Sequence, residues 1–301
     1  MEAFARYLKE KGRAERTIVG YLADLEHFSR WFADTAGKAF ALQLLSAQDL
    51  RDYRQYLLAV QHARPATINR RLAALRAYAA WARREGLLSL NPLEGVRGVR
   101  EQERAPRWLE RQERAALVRE LEAMVNGART EAWRRQAIRD KAIVYLLLYA
   151  GLRVSELCAL EMSDIDLAPR SGQVLVRSGK GGKARAVPLN LDARRAVSDW
   201  QNVRGDYPTP FLFLGKGGEK LTPSGVQRRL SEIGARVGVE LSPHRLRHTF
   251  AKNLVEAGVS LEKVASLLGH DSLDTTRIYL TPSQADLQEA VERLNGGYGL
   301  E

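Results

Sequence analysis

Arg153, Lys180, His244, Arg247, His270 and Tyr279 are side chains of the types that can move a phosphoryl group without a bound cation. Arg153 follows Gly151-Leu152 at the end of an apolar run, and Glu156, three residues on, can fix its guanidinium so that paired donors face phosphate oxygens. His244 and Arg247 lie three apart in Pro243-His244-Arg245-Leu246-Arg247-His248 and so share a helix face. His270 follows Leu267-Leu268-Gly269, and Tyr279 ends the run Asp274-Thr275-Thr276-Arg277-Ile278-Tyr279. Lys180 stands in the glycine-rich basic stretch Ser178-Gly179-Lys180-Gly181-Gly182-Lys183.

Taken singly, each has an ordinary reading: an ion-paired arginine, a structural histidine, one of ten tyrosines. Taken together they suit phosphoryl transfer. Arg153 and Arg247 would neutralise the non-bridging oxygens as charge builds on a five-coordinate phosphorus, the part magnesium plays elsewhere. A phenol, of pKa ~10, is a poor nucleophile until the phosphate is clamped and a base assists. Lys180 could protonate the departing 5′-oxygen; Lys183 on the same turn is the alternative, and the Gly-Lys-Gly pattern favours Lys180. A zinc site at His244 and His248 fails, because Arg245 stands where the protease motif has glutamate and two arginines between the histidines would repel a dication. With no carboxylate cluster, the reading needs no metal and no cofactor.

The elements that must hold these groups follow from periodicity. Ile18, Tyr21, Leu22, Leu25, Phe28, Trp31 and Phe32 form one apolar helical stripe, with Thr17 as its expected cap. Ser46 and Asp49 resemble a capping pair ahead of Leu50, Tyr53, Leu57 and Leu58. Behind Pro65, Thr67 is expected to cap a third helix with Ile68, Leu72, Leu75 and Ala79 inward and Arg70, Arg76 and Arg83 on other faces. The second half mixes periods. Helices are expected near 109–125 and 137–149, separated by a polar connection at 126–136, and helices return after Thr222-Pro223. Val174-Leu175-Val176 and Ala186-Val187 with Leu189 flank the basic turn as a β-hairpin, and Phe211 to Leu214 reads as a further short strand. The expected fold is mainly α with a small β-sheet. It divides into a helical bundle at 1–100, a linker at 101–107 and an α+β domain at 108–301.

Charge points to the partner. Lys plus Arg outnumber Asp plus Glu by 47 to 36, for a net +11, and ten arginines stand against four glutamates between Arg64 and Arg107. A polyanion such as nucleic acid is implied, with Arg70, Arg71, Arg76 and Arg83 as candidate DNA-binding residues. No apolar run of spanning length and no export signal at Met-Glu-Ala-Phe is present, so membrane insertion is not expected and a cytoplasmic, nucleoid-associated protein is. The lone Cys158 excludes internal disulfides and lies among apolar neighbours, as an inert buried thiol would.

In this order, Gly151-Leu152-Arg153-Val154-Ser155-Glu156-Leu157, His244-Arg245-Leu246-Arg247-His248-Thr249-Phe250, Leu268-Gly269-His270 and Ile278-Tyr279 resemble the tyrosine recombinase/integrase family. The resemblance covers the second half. The helical first half looks like that family's SAM-like core-binding domain, and the size is similar to Xer-type recombinases. It implies Arg153, Lys180, His244, Arg247 and His270 around the scissile phosphate, Glu156 in support of Arg153, and Tyr279 as nucleophile. It further implies a 3′-phosphotyrosyl intermediate, resealing by a hydroxyl of a partner duplex, and no need of metal or ATP. The partners implied are duplex DNA with inverted-repeat sites, a homo- or hetero-tetramer holding two such sites, and an accessory activating protein. Leu287, Val291 and Leu294, in the segment Gln284 to Leu294, would dock on a neighbouring protomer. Ala150 departs from the Xer pattern, which has threonine before the glycine, and matches mobile-element integrases; an arm-binding domain like that of the larger phage integrases is not seen. Chromosome resolution and mobile-element integration both fit. A binding-only relative would lack a catalytic residue, and none is lacking; a type IB topoisomerase would relax DNA without partner sites; a metal-dependent nuclease fits worst.

Overall fold

The computed structural model describes residues 1–89, 93, 95–100, 107–177, 184–270, 272–280, 287–288 and 291–292. Lys180 and Lys183, residues 101–106 and most of the segment 284–294 lie outside the described residues. The chain forms two compact units, Met1–Glu103 and Arg104–Glu301. Among the described residues no helix is long and apolar enough to cross a membrane.

The first unit packs α1 (Glu2–Glu10), α2 (Glu15–Ala36), α3 (Ala47–Ala59) and α4 (Pro65–Arg84) around Phe4, Phe28, Tyr53, Ile68 and Leu72, all fully buried. The capping box of Ser46 and Asp49 is present at the start of α3. Thr17 and Thr67 are not caps. Helix α2 begins at Glu15 behind an extended Ala14, where an acidic first turn suits the helix dipole. Pro65 occupies the first turn of α4, its ring pre-setting φ, while Arg64 before it is extended. Both threonines therefore fall inside the first turn.

In the second unit α6 (Glu131–Tyr149) is the central rod, with Ala142 to Leu148 buried without a break between α5 (Arg111–Asn126), α8 (Leu191–Arg204) and α10 (Pro243–Glu256). Each of its buried leucines contributes roughly 1.5–3 kcal/mol of burial. The Thr130 hydroxyl accepts from Trp133 N–H at 3.2 Å and starts α6 early, so most of the stretch 126–136 is helical rather than a polar connection. The hairpin is present: β2 (Gly172–Val176) pairs antiparallel with β3 (Arg185–Pro188), Val174 facing Val187. A third strand, β1 (Ile165–Leu167), joins β2 and makes the sheet order β1-β2-β3. Phe211 and Leu214 form no strand of their own; each makes one isolated bridge, to Glu161 and to Lys220. The fold class is thus mainly helical with one small sheet. Cys158 is buried, and burial pushes its thiol up to about 11 despite the charge of Lys220.

Helix α9 (Pro223–Val237) packs on α5 and on the short α7 (Val154–Ala159), while α11 (Leu261–Leu268) packs on α10 and α12 (Asp274–Arg277) on α11, running into a 3-10 turn at Ile278–Leu280 that returns to α10. Phe250, Ala251, Val264, Leu268 and Tyr279 make a separate apolar cluster there.

Candidate active site

Arg153 stands at the N-terminus of α7, where its backbone N–H donates to Glu156 Oε2 at 2.8 Å and its guanidinium to Glu156 Oε1 at 2.8 Å. The turn into it needs Gly151, whose φ is +60° and whose missing side chain leaves room for the Phe250 ring. Glu156 is almost wholly buried yet charged. Burial alone would raise its pKa, but the donors of Arg185 and Arg153 outweigh it and hold the carboxyl below its ordinary value.

The C-terminal end of α11 organises the cations. A helix end leaves carbonyls without intrahelical partners, and here three in succession are met by arginines from three other elements. Leu267 O accepts from Arg185 Nε at 2.9 Å, Leu268 O from Arg247 at 2.6 Å, and Gly269 O from Arg153 at 2.8 Å. Gly269 takes the left-handed conformation, and a side chain there would run into the Arg185 guanidinium. Arg247, on α10, also donates to Gly151 O and is 5% exposed. Burial, with Arg153 nearby, lowers its pKa to about 10, so it stays charged at neutral pH.

His270 follows these carbonyls, its Nδ1 3.0 Å from the Thr276 hydroxyl. Burial and then Arg247, Arg153 and Arg185 push it down to about 4, so the ring is neutral at pH 7. His248, one residue after Arg247, is likewise held near 4 by burial, His244 and Arg247. Its Nδ1 lies 2.7 Å from the Tyr279 hydroxyl. Tyr279 is 2% exposed, and burial raises its pKa while Arg247 opposes the rise. His244 is exposed in the first turn of α10, its ring 6.4 Å from that of His248.

Arg153, Glu156, Arg247, His270 and Tyr279 are therefore drawn to one place, with His244 at its edge. Sequence reasoning missed two contacts here, Arg185 on Glu156 and His248 on Tyr279. The first had no local signal, since 29 residues separate the partners; the second sat inside a quoted motif as an unassigned histidine. The candidate DNA-binding arginines divide. Arg70 and Arg71 pair with buried Asp24, Arg76 donates to Val96 O at 2.9 Å, and Arg83 is exposed with no partner among the described residues.

Residues 114–285 match the phage integrase family, and residues 1–86 match the phage integrase N-terminal SAM-like domain. The chain is 34% identical to tyrosine recombinase XerA of Pyrococcus furiosus, covering 98% of this chain and 93% of that one. It is 34% identical to tyrosine recombinase XerC of Xanthomonas campestris pv. campestris, over 93% and 83%. Among solved structures it resembles the XerH site-specific recombinase bound to palindromic difH substrate, with a TM-score of 0.74 and 24% identity over 95% and 84% of the chains. It also resembles the Tn1549 transposon integrase in complex with circular intermediate DNA, with a TM-score of 0.70 and 20% identity over 97% and 98%. These two likenesses are of fold.

Proposed function

Since the chain belongs to the phage integrase family, the tyrosine recombinases, we propose that it cleaves and rejoins duplex DNA at specific sites with Tyr279 as nucleophile. The observation that carries the reading is the meeting of Arg153 and Arg247 on the carbonyls just before His270, with Tyr279 packed on Leu268 in the same place. A phosphodiester at Arg153 would meet a guanidinium that uses only two of its five N–H groups in described contacts. Arg247 adds its buried charge, and neutral His270, with Nδ1 on the Thr276 hydroxyl, can donate to a phosphate oxygen through Nε2. The charge that builds on phosphorus is balanced by fixed guanidiniums, so the step calls for neither metal nor ATP.

Attack by the Tyr279 oxygen, its proton passing to a neutral imidazole of the site, breaks the bond to the 5′-oxygen. It leaves a 3′-phosphotyrosyl link and, once a proton arrives, a free 5′-hydroxyl. Lys180 or Lys183 is the proton donor in this reading. A 5′-hydroxyl from a partner duplex then attacks the phosphotyrosine and restores the phenol, so bond energy is conserved. Two duplexes held by a tetramer meet that requirement. With its hydroxyl on His248 and its ring buried, Tyr279 is at rest, and attack requires the Ile278–Leu280 turn to carry the hydroxyl to the phosphate.

The test is to incubate wild type and Tyr279→Phe, in chelator, with nicked fragments of DNA from the source organism and to recover what remains attached in detergent. Attachment by wild type alone is expected, with both proteins binding DNA. Attachment by Tyr279→Phe, or none by either, would count against the reading. Recovered fragments that come from a chromosomal site would point to chromosome resolution, and fragments from element ends to mobile-element integration.

A further inference from the structure

Arg185 opens β3 and is the one cation of this cluster with no part in the chemistry so far. All three of its nitrogens are engaged. Nη1 and Nη2 form a fork on Glu156, at 3.0 Å to Oε1 and 2.8 Å to Oε2, while Nε donates to Leu267 O at 2.9 Å. The side chain is 12% exposed and the Glu156 carboxylate 3%, so water does not screen the pair as it would on the surface.

We propose that Arg185 is a positioning residue of the cleavage site: it fixes the Glu156 carboxylate and the Leu267 carbonyl, and through them the places of Arg153 and His270. This rests on the cleavage reading above. Glu156 holds Arg153 twice, by backbone and by side chain, so any rotation of the carboxylate moves the arginine that would meet phosphate. The Leu267 carbonyl is the first of the three that end α11, and His270 lies three residues beyond it. One guanidinium thus ties strand β3 to α7 and to α11. The tie also sets the local field. A buried carboxylate beside the phosphate would repel it; shared between two guanidiniums, its charge is more than offset, and the site stays attractive to a phosphodiester. A lysine keeps the charge but cannot make the planar fork and the Nε bond together.

Arg185 spends three of its five N–H groups on Glu156 and Leu267 and is 12% exposed, against two and 30% for Arg153, which separates the two roles. Removal of Arg185 should slow the chemical step and leave DNA affinity in place. The experiment uses the full chain and a nicked duplex recovered by the attachment assay above, under single-turnover conditions over a range of protein concentrations, for wild type, Arg185→Met, Arg185→Lys, Glu156→Gln and the Arg185→Met/Glu156→Gln double variant. The rate of attachment at saturation should fall about 100-fold in Arg185→Met, as when a reacting group is misplaced by an ångström, with half-saturation little changed. Arg185→Lys should recover part of the loss. The double variant should be no slower than the slower single, because both changes break one unit.

A wild-type rate in Arg185→Met, a loss confined to half-saturation, or losses that multiply in the double variant would overturn the proposal. Should Arg185→Met melt below the assay temperature, Arg185→Lys decides: a loss at saturation supports the role and a wild-type rate refutes it. Failure of wild type to attach removes the cleavage reading itself and is distinguished by that arm.

Discussion

The Tyr279 hydroxyl lies 2.7 Å from His248 Nδ1, inside the apolar cluster formed by Phe250, Ala251, Val264 and Leu268. With the imidazole neutral and the phenol's pKa raised, the pair is a neutral hydrogen bond that hides the nucleophile. Removing either partner strands the other in a dry site. His248→Leu should therefore destabilise the second unit by about 1–3 kcal/mol. Adding Tyr279→Phe should recover about 1 kcal/mol of that loss. Denaturant unfolding of the single and double variants measures it, and strict additivity would show that the contact carries no energy.

Arg247 is irreplaceable by lysine in this account. Its fork spans the carbonyls of Gly151 and Leu268 from within the core, and an ammonium cannot reach both and still present charge to phosphate. Attachment by Arg247→Lys should drop by about 100-fold or more, the scale of losing a fixed donor to a developing oxyanion. A rate within a few-fold of wild type would place the phosphate elsewhere.

The two buried histidines set a pH signature. Both are held near 4 in the folded chain, against an ordinary 6.5. As pH falls from about 6.5 towards 4, the unfolded chain takes up protons that the folded one refuses. Stability contributed by the neutral rings is therefore complete above pH 6.5 and lost progressively below it. Proton NMR of the imidazoles across pH 3.5 to 8 should show two rings, assigned by His248→Gln and His270→Gln, with midpoints near 4. Midpoints near 6.5 would mean that the rings are solvated.

How much of this was legible in the sequence differs by the range of the interaction. The Ser46–Asp49 box and the hairpin around Val174 and Val187 depend on neighbours, and the sequence shows them. So does the α10 face that carries His244 and Arg247. Thr17 and Thr67 misled because either could cap, and the choice fell to the extended Ala14 and to Pro65. Strand β1 is only three residues long, so its half-buried, exposed, half-buried order is too short to stand out as a period of two. The roles of Arg185, Arg70 and Arg71 depend on carboxylates far away in the chain, which periodicity does not see.

That last distinction separates the basic residues of the first unit. Arg83 is exposed and free of described partners, whereas Arg71 lies against Asp24, a carboxyl whose pKa burial raises even with Arg70 and Arg71 beside it. Arg83→Ala should leave stability unchanged and, if it meets a phosphate, lower the salt slope of DNA binding by about 1. Arg71→Ala should instead cost about 1–3 kcal/mol of stability. Thermal unfolding and binding isotherms at several salt concentrations test both, and the reverse pattern would contradict the division.

In the proposed reaction the Tyr279 oxygen becomes bonded to a DNA 3′-phosphate. Wild-type protein attached to a nicked duplex in chelator should be digested with nuclease and protease and the adduct located by mass spectrometry, with the released DNA end tested for its terminal group. A nucleotide on the peptide that contains Tyr279 and a free 5′-hydroxyl on the released strand are expected. A nucleotide on any other residue, or a free 3′-hydroxyl beside a 5′-linked adduct, would contradict it.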